Sequence, residues 1–192
     1  MSDYSFCQNS EDEKQLTWKP IQKHVKLETV IGNVTEIASE SPEGSVGNYI
    51  VMDCPDWVIV IAEDKDEFLM VKQWRHGTQS LSIEFPGGVI DPGESSLEGA
   101  LRELREETGC FPKTIVKLRE LSPNPALFSN KVHFYYATEL SQQGCQDLDE
   151  DEFLNYMRIS KNEVLENMGK PPFIHGLMSS ALLAYIQYKK NS

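Results

Sequence analysis

The chain has 192 residues, with 30 Asp and Glu against 18 Lys and Arg, so its formal charge is −12. A 40% share of hydrophobic residues is enough to build a core and excludes wholesale disorder. The acidity excludes a surface that grips nucleic-acid backbone, because such a surface works by displacing counterions with Lys and Arg.

Residues 1–15 are polar and acidic, and read as a flexible arm with no apolar signal-peptide core. Residues 16–56 form a β-rich region. Alternation through Val25, Leu27 and Thr29, then Ile31, Val34 and Ile37, predicts strand structure as far as residue 38. A loop punctuated by Pro42, Gly44 and Gly47 follows, then a strand over residues 49–52. Residues 57–192 make the main domain, with strands predicted over 57–62, 67–74, 114–121, 131–138 and 155–159. Helical periodicity covers residues 96–108 and 174–189, with a short helix over 161–167. This succession predicts an α/β or α+β layered domain, a mostly antiparallel or mixed sheet with a few helices packed on it. The longest apolar run, residues 58–62, is far short of the ~20 residues that span a bilayer, so no membrane partner is expected. Cys7, Cys54, Cys110 and Cys145 are scattered without ligand or pairing spacing, as in a reducing compartment, and a cytoplasmic location is expected.

Residues 88–110 read GVIDPGESSLEGALRELREETGC. Ser95 and Glu98 make a capping box, and Gly109 is a C-terminal stop. Leu97, Ala100, Leu101 and Leu104 fall on one apolar face, whereas Glu103, Glu106 and Glu107 stack on another. Like charges at that spacing repel by roughly 0.2–0.5 kcal/mol per pair in water, and by more near a core unless a cation lies among them. The helix by itself fits a solvated acidic face as well as a seat for a hard cation.

The spacing of Gly88, Glu94, Arg102, Glu103, Leu104, Glu106, Glu107 and Gly109 resembles the Nudix hydrolase signature G-x5-E-x7-R-E-U-x-E-E-x-G-U, U being aliphatic. Only Cys110 departs from it, and it is itself small and apolar. The resemblance implies a Nudix fold: a mixed sheet sandwiched between helices, the signature forming a loop–helix–loop that holds divalent metal, Mg²⁺ or Mn²⁺. It implies hydrolysis of a nucleoside diphosphate linked to another moiety. Carried onto this chain, Glu103 and Glu107 are expected metal ligands, Glu106 a third ligand or catalytic partner, and the Gly87 carbonyl a further ligand. Arg102 is expected to orient the helix glutamates, and Glu94 to support the loop.

Gln73-Trp74-Arg75, Glu84-Phe85-Pro86-Gly87-Gly88 and the upstream β-rich region resemble the ADP-ribose pyrophosphatase and nucleotide-sugar branch. In that branch Arg75 matches a phosphate-binding arginine, as suits a forked guanidinium, and Glu84 and Pro125 are expected with it among the substrate-binding residues. Where that branch favours Ser-Pro-Gly, this chain has Ser122-Pro123-Asn124; the broader nucleotide-sugar class therefore stands beside ADP-ribose itself. The acidic run of Asp147, Asp149, Glu150, Asp151 and Glu152 reads as a solvated loop from its charge alone. The branch places a catalytic glutamate there, and Glu152, with Glu150 as substitute, is the expected base. Homodimers with exchanged N-terminal strands are common in the branch, so residues 16–56 are a candidate dimerisation region. The alternatives are a Nudix hydrolase for another pyrophosphate, such as a dinucleoside polyphosphate or coenzyme A-type ester, and a non-catalytic nucleotide sensor.

Overall fold

The computed structural model describes residues 13–150 and 152–191; Cys7, most of the expected arm and Asp151 lie outside the described residues. The chain divides into two compact units. Among the described residues, one is formed by those up to Cys54 with Asn124–Ser129, the other by Pro55–Pro123 and those from Asn130 onward.

The smaller unit is a three-stranded antiparallel sheet in the order β1 (Lys19–Thr29), β2 (Gly32–Glu40), β3 (Val46–Asp53). The alternation across residues 16–38 is thus two strands joined by a tight turn. The expected loop after them shrinks to the few residues closed by Ser41 N–H to the Ser45 carbonyl at 2.8 Å. Every residue of β1 is exposed. The turn Asn124–Ser129 belongs to this unit: Met52 N–H donates to the Leu127 carbonyl at 2.7 Å and the Ser129 hydroxyl to Asp53 at 2.7 Å.

The larger unit holds a six-stranded mixed sheet: β4 (Trp57–Asp64), β5 (Glu67–Arg75), β6 (Ser80–Glu84), β7 (Cys110–Leu121), β8 (Val132–Gln142) and β9 (Leu154–Ser160). The order is β6-β5-β4-β8-β7, with β9 on β5; β4 and β8 are parallel and the other pairs antiparallel. Strand β6 is hidden in the sequence because only five residues separate the turn from the glycine-rich segment. Strand β7 starts four residues before the predicted strand and passes through Pro112, which is tolerated because β7 is the sheet's outer strand.

Side chains alternate across a strand, and β4 divides accordingly. Val58, Val60 and Ala62 pack with Leu69, Tyr135 and helix α1 (Ser96–Thr108) through Ala100 and Leu104. Ile59 and Ile61 pack on the opposite side with Phe68, Phe134 and helix α3 (Gly176–Asn191) through Met178, Ala181 and Tyr185. Helix α2 (Lys161–Asn167) adds Val164 to that second cluster. The sheet is therefore sandwiched between helices. No helix among the described residues is long and apolar enough to cross a membrane.

Candidate active site

Strands β4 and β5 pair only from Ala62 with Leu69 to Asp64 with Glu67. Beyond that point residues 86–88 take over one edge of β4: Val60 N–H donates to the Pro86 carbonyl at 2.8 Å and Val58 N–H to the Gly88 carbonyl at 2.9 Å. Successive carbonyls of an extended chain point opposite ways, so the Gly87 carbonyl between them is turned away from β4. Gly87 has φ +155, and a Cβ there would lie 2.1 Å from the Val58 carbonyl oxygen. Only glycine permits this approach.

Helix α1 is set against that segment. Its Ser95–Glu98 capping box is complete and Gly109 closes it in the left-handed conformation. Its buried residues are Gly99, Ala100, Glu103, Leu104, Glu107 and Thr108, whereas Leu97 and Leu101 are 42% and 36% exposed. The apolar face expected from periodicity is thus corrected: two of the three carboxylates share the buried face with Ala100 and Leu104. Glu107 is 2% exposed and accepts the Gly87 N–H at 2.9 Å. Glu103 is 8% exposed and lies against Gly88, where a Cβ would come within 2.5 Å of its Oε1. Burial pushes the Glu103 carboxyl up to about 7. Burial, and then the neighbouring Glu103 charge, raise Glu107 well above the usual carboxylate range.

Arg102 ties the cluster together. Its Nε and Nη2 bind the two oxygens of Glu94 at 3.0 Å each, and Nη1 donates to both Glu103 Oε1 and Glu106 Oε2 at 3.0 Å. Hydrogen bonding to Glu94 is the largest cause that raises its pKa. Arg75 and Gln73 stand on the α1 side of β5, sharing the parity of Leu69. Arg75 Nε and Nη2 donate to the two oxygens of Glu84 at 2.8 and 2.5 Å. Glu84 is 1% exposed; burial alone would raise its pKa, but Arg75 brings it below the ordinary value.

The acidic loop is fastened to the end of α1. Asp147 N–H donates to the Glu106 carbonyl at 2.8 Å, Gln146 Nε2 to the Glu107 carbonyl at 2.7 Å, and Gln142 Nε2 to the Thr108 carbonyl at 3.0 Å. With Gly109 N–H on the Arg105 carbonyl, all four terminal carbonyls of the helix are partnered. The result is a cleft of ≈ 410 Å³ into which Glu103, Glu106, Glu107, Arg75, Gly87 and Glu152 all face.

Of the residues expected from sequence, those six meet at the cleft. Glu150 is exposed and does not line it. Glu84 sits behind Arg75, with both oxygens committed to it. Pro125 is exposed in the turn of the smaller unit and is not part of this lining. Asp149 lines the cleft beside Glu152, accepting its N–H at 3.0 Å, and was not singled out within the acidic run. His175, next to the Arg75–Glu84 pair in charge terms, carried no motif at all.

No three His, Cys, Asp or Glu among the described residues form a closed ligand set, and the Arg102 guanidinium binds both Glu103 and Glu106. The donor chemistry nevertheless fits a hard divalent cation. Carboxylates raised in pKa chiefly by burial line one cleft with the backbone of Gly87, and oxygen donors are what such ions prefer.

The family model described as NUDIX domain matches residues 52–177. The ADP-ribose pyrophosphatase of Bacillus subtilis (strain 168) is 31% identical over 153 residues, covering 79% of this chain and 82% of its own. The ADP compounds hydrolase NudE of Escherichia coli (strain K12) is 31% identical over 133 residues, covering 69% and 71%. A crystal structure of an ADP compounds hydrolase matches with a TM-score of 0.80 at 28% identity, over 92% of this chain and 96% of that one.

Proposed function

The chain belongs to the Nudix family of hydrolases, and from that premise we propose that it cleaves the pyrophosphate bond of ADP-ribose or a related nucleoside diphosphate sugar. The products are a nucleoside monophosphate and a sugar phosphate. The carrying observation is the convergence of buried Glu103 and Glu107 with Glu152 and Arg75 on one cleft. The names of the relatives, ADP-ribose pyrophosphatase and ADP compounds hydrolase, support the substrate class.

Hydrolases of this family generally need a divalent metal. In our reading Glu103, Glu106, Glu107 and the Gly87 carbonyl hold Mg²⁺ or Mn²⁺. Bound there, such an ion would supply positive charge at the phosphate oxygens and acidify water at the site. Arg75, its fork fixed by Glu84, keeps Nη1 for a phosphate oxygen and so holds the pyrophosphate in register. Glu152 takes the proton of the attacking water; Glu150 is its substitute from the same loop. Glu84 acts through Arg75.

The test is hydrolysis of ADP-ribose and a panel of sugar nucleotides with Mg²⁺, Mn²⁺ or EDTA, with AMP and ribose 5-phosphate identified as products. Glu107→Gln should lower kcat by about a hundredfold or more, the scale of several kcal/mol of charge stabilisation. Wild-type turnover by that variant would overturn the metal assignment. We further assign a homodimer, supported by the exposed apolar side chains Ile21, Val25, Leu27, Val46, Tyr49 and Ile50 on the three-stranded sheet. A cytoplasmic location accords with Cys54, Cys110 and Cys145 being free thiols.

A further inference from the structure

Helix α1 carries two arginines, and they are bound in different ways. A guanidinium has five N–H donors, and those of Arg102 meet five acceptors. Nε and Nη2 bind the two oxygens of Glu94, Nη2 also donates to the Val89 carbonyl at 2.8 Å, and Nη1 serves Glu103 Oε1 and Glu106 Oε2. Withdrawing Arg102 would release all of these at once, so it is a fixed part of the cleft wall. Arg105 is held by much less. Among the described residues its guanidinium makes one ion pair, Nη2 to Glu106 Oε1 at 2.8 Å, and its side chain is 44% exposed. Adjacent positions on a helix do not face each other, so the side chain reaches round to make this contact and can turn back to water.

Glu106 is therefore occupied at both oxygens, Oε2 by Arg102 and Oε1 by Arg105. The other two carboxylates are not. Among the described residues nothing hydrogen-bonds Glu103 Oε2 or Glu107 Oε1. Of the three helix glutamates that face the cleft, one is withheld by a cation that the chain itself supplies. Residue 105 stands at the variable x between the aliphatic residue and the paired glutamates of the signature, a position to which the family pattern gives no role.

We propose that Arg105 is a positioning residue that competes with the divalent cation for Glu106: Oε1 becomes available to the ion only when the Arg105 guanidinium swings out, while the Arg102 bond to Oε2 keeps the carboxylate aimed at the cleft. This rests on the reading that Glu106 is a metal ligand. A hard cation brought to Oε1 with Arg105 in place would meet a like charge at close range. Moving Arg105 aside removes that repulsion and opens the oxygen in one motion. Arg102 cannot play this part, because its five bonds hold Glu94 and the Val89 carbonyl as well. The Arg105 pair is exposed, and exposed pairs contribute little. The competition therefore weakens metal binding without preventing it, and the cleft fills at a higher concentration of divalent cation than three unopposed carboxylates would need.

The experiment is calorimetric titration of Mn²⁺ alone, without nucleotide, into protein stripped of metal. It compares wild type, Arg105→Gln, Glu106→Gln and the double variant. Gln has nearly the helix propensity of Arg, and a thermal melt checks each fold; Arg105→Ala repeats the measurement if the glutamine variant melts early. Arg105→Gln should lower the Kd for Mn²⁺ roughly two- to fivefold, the range of an exposed ion pair. Glu106→Gln should raise it. In the Glu106→Gln background Arg105→Gln should then have no further effect, since its partner is gone, and this failure of additivity is the signature of direct competition. A merely long-range influence of positive charge would tighten binding equally in both backgrounds, and that result overturns the proposal. So does a Kd for Arg105→Gln equal to or above that of wild type. If Glu106→Gln leaves the Kd unchanged, the ligand assignment falls and the competition falls with it. If Glu106→Gln weakens binding but shows no coupling to Arg105, the ligand assignment stands and the competition alone is overturned.

Discussion

Glu103→Gln should make the metal-free protein more stable at alkaline pH. The Glu103 carboxyl goes from an ordinary 4.5 to about 7 in the fold, so folding favours its protonated form. Its stabilising effect is complete below pH ~4.5 and is lost as pH rises through about 7. At roughly 1.4 kcal/mol per pH unit, the ionised carboxylate costs the fold about 3 kcal/mol above pH 7. Gln has the shape of the neutral acid and escapes that cost. For a chain of this size the gain corresponds to about 6–12 °C in Tm as an upper bound. The assay is thermal unfolding in EDTA at pH 4.5 and pH 8. The variant should match wild type at the lower pH and exceed it at the higher. Adding Mg²⁺ at pH 8 should raise wild type more than the variant. An equal shift at both pH values, or a variant less stable than wild type at pH 8 in EDTA, would refute the argument that buried negative charge is what this helix face carries.

Arg75→Ala should destabilise more than Glu84→Gln. It strands a carboxylate that is 1% exposed, at a cost of about 3–5 kcal/mol, whereas Arg75 is 39% exposed in its side chain and can turn to water; denaturant titration measures both. Gly88→Ala should lower kcat severalfold or more while the protein still folds, because the new Cβ meets Glu103 Oε1 at 2.5 Å; steady-state kinetics with a melt separates the two effects. Leu27→Lys together with Ile50→Lys should shift the proposed dimer to monomer in sedimentation, since both side chains are exposed apolar groups of the small sheet. An unchanged dimer would move the interface elsewhere.

Much of the fold was legible because periodicity and punctuation agreed. Ser95, Glu98 and Gly109 bracket a helix whose observed bounds are those predicted, and the alternation in β4 carries two clusters on two faces. Failures came where tertiary pairing decides: β6 has too few residues for a periodic signal, and Pro112 disguises an edge strand. At the site, spacing brought out Glu103, Glu106 and Glu107, but periodicity put the carboxylates on the wrong side of the helix. A hydrophobic pattern cannot tell that Leu97 and Leu101 stay at the surface while Glu103 and Glu107 turn inward. Asp149 and Glu152 are separated from Glu150 only by the loop's path, and His175 by a cap that forms once α3 packs; neither is encoded in local composition.

The carbonyl end of α1 links two pieces of machinery that the chain keeps far apart in sequence. The same helix that presents Glu103 and Glu107 holds, at its last turn, the root of the loop that presents Glu152. The two sides of the cleft therefore share one mechanical reference: a shift of the helix carries the loop with it and leaves the spacing across the cleft nearly unchanged. A single residue inserted between Asp147 and Glu152 falls beyond the fastening, alters the reach of the loop, and should be felt in turnover before it is felt in stability.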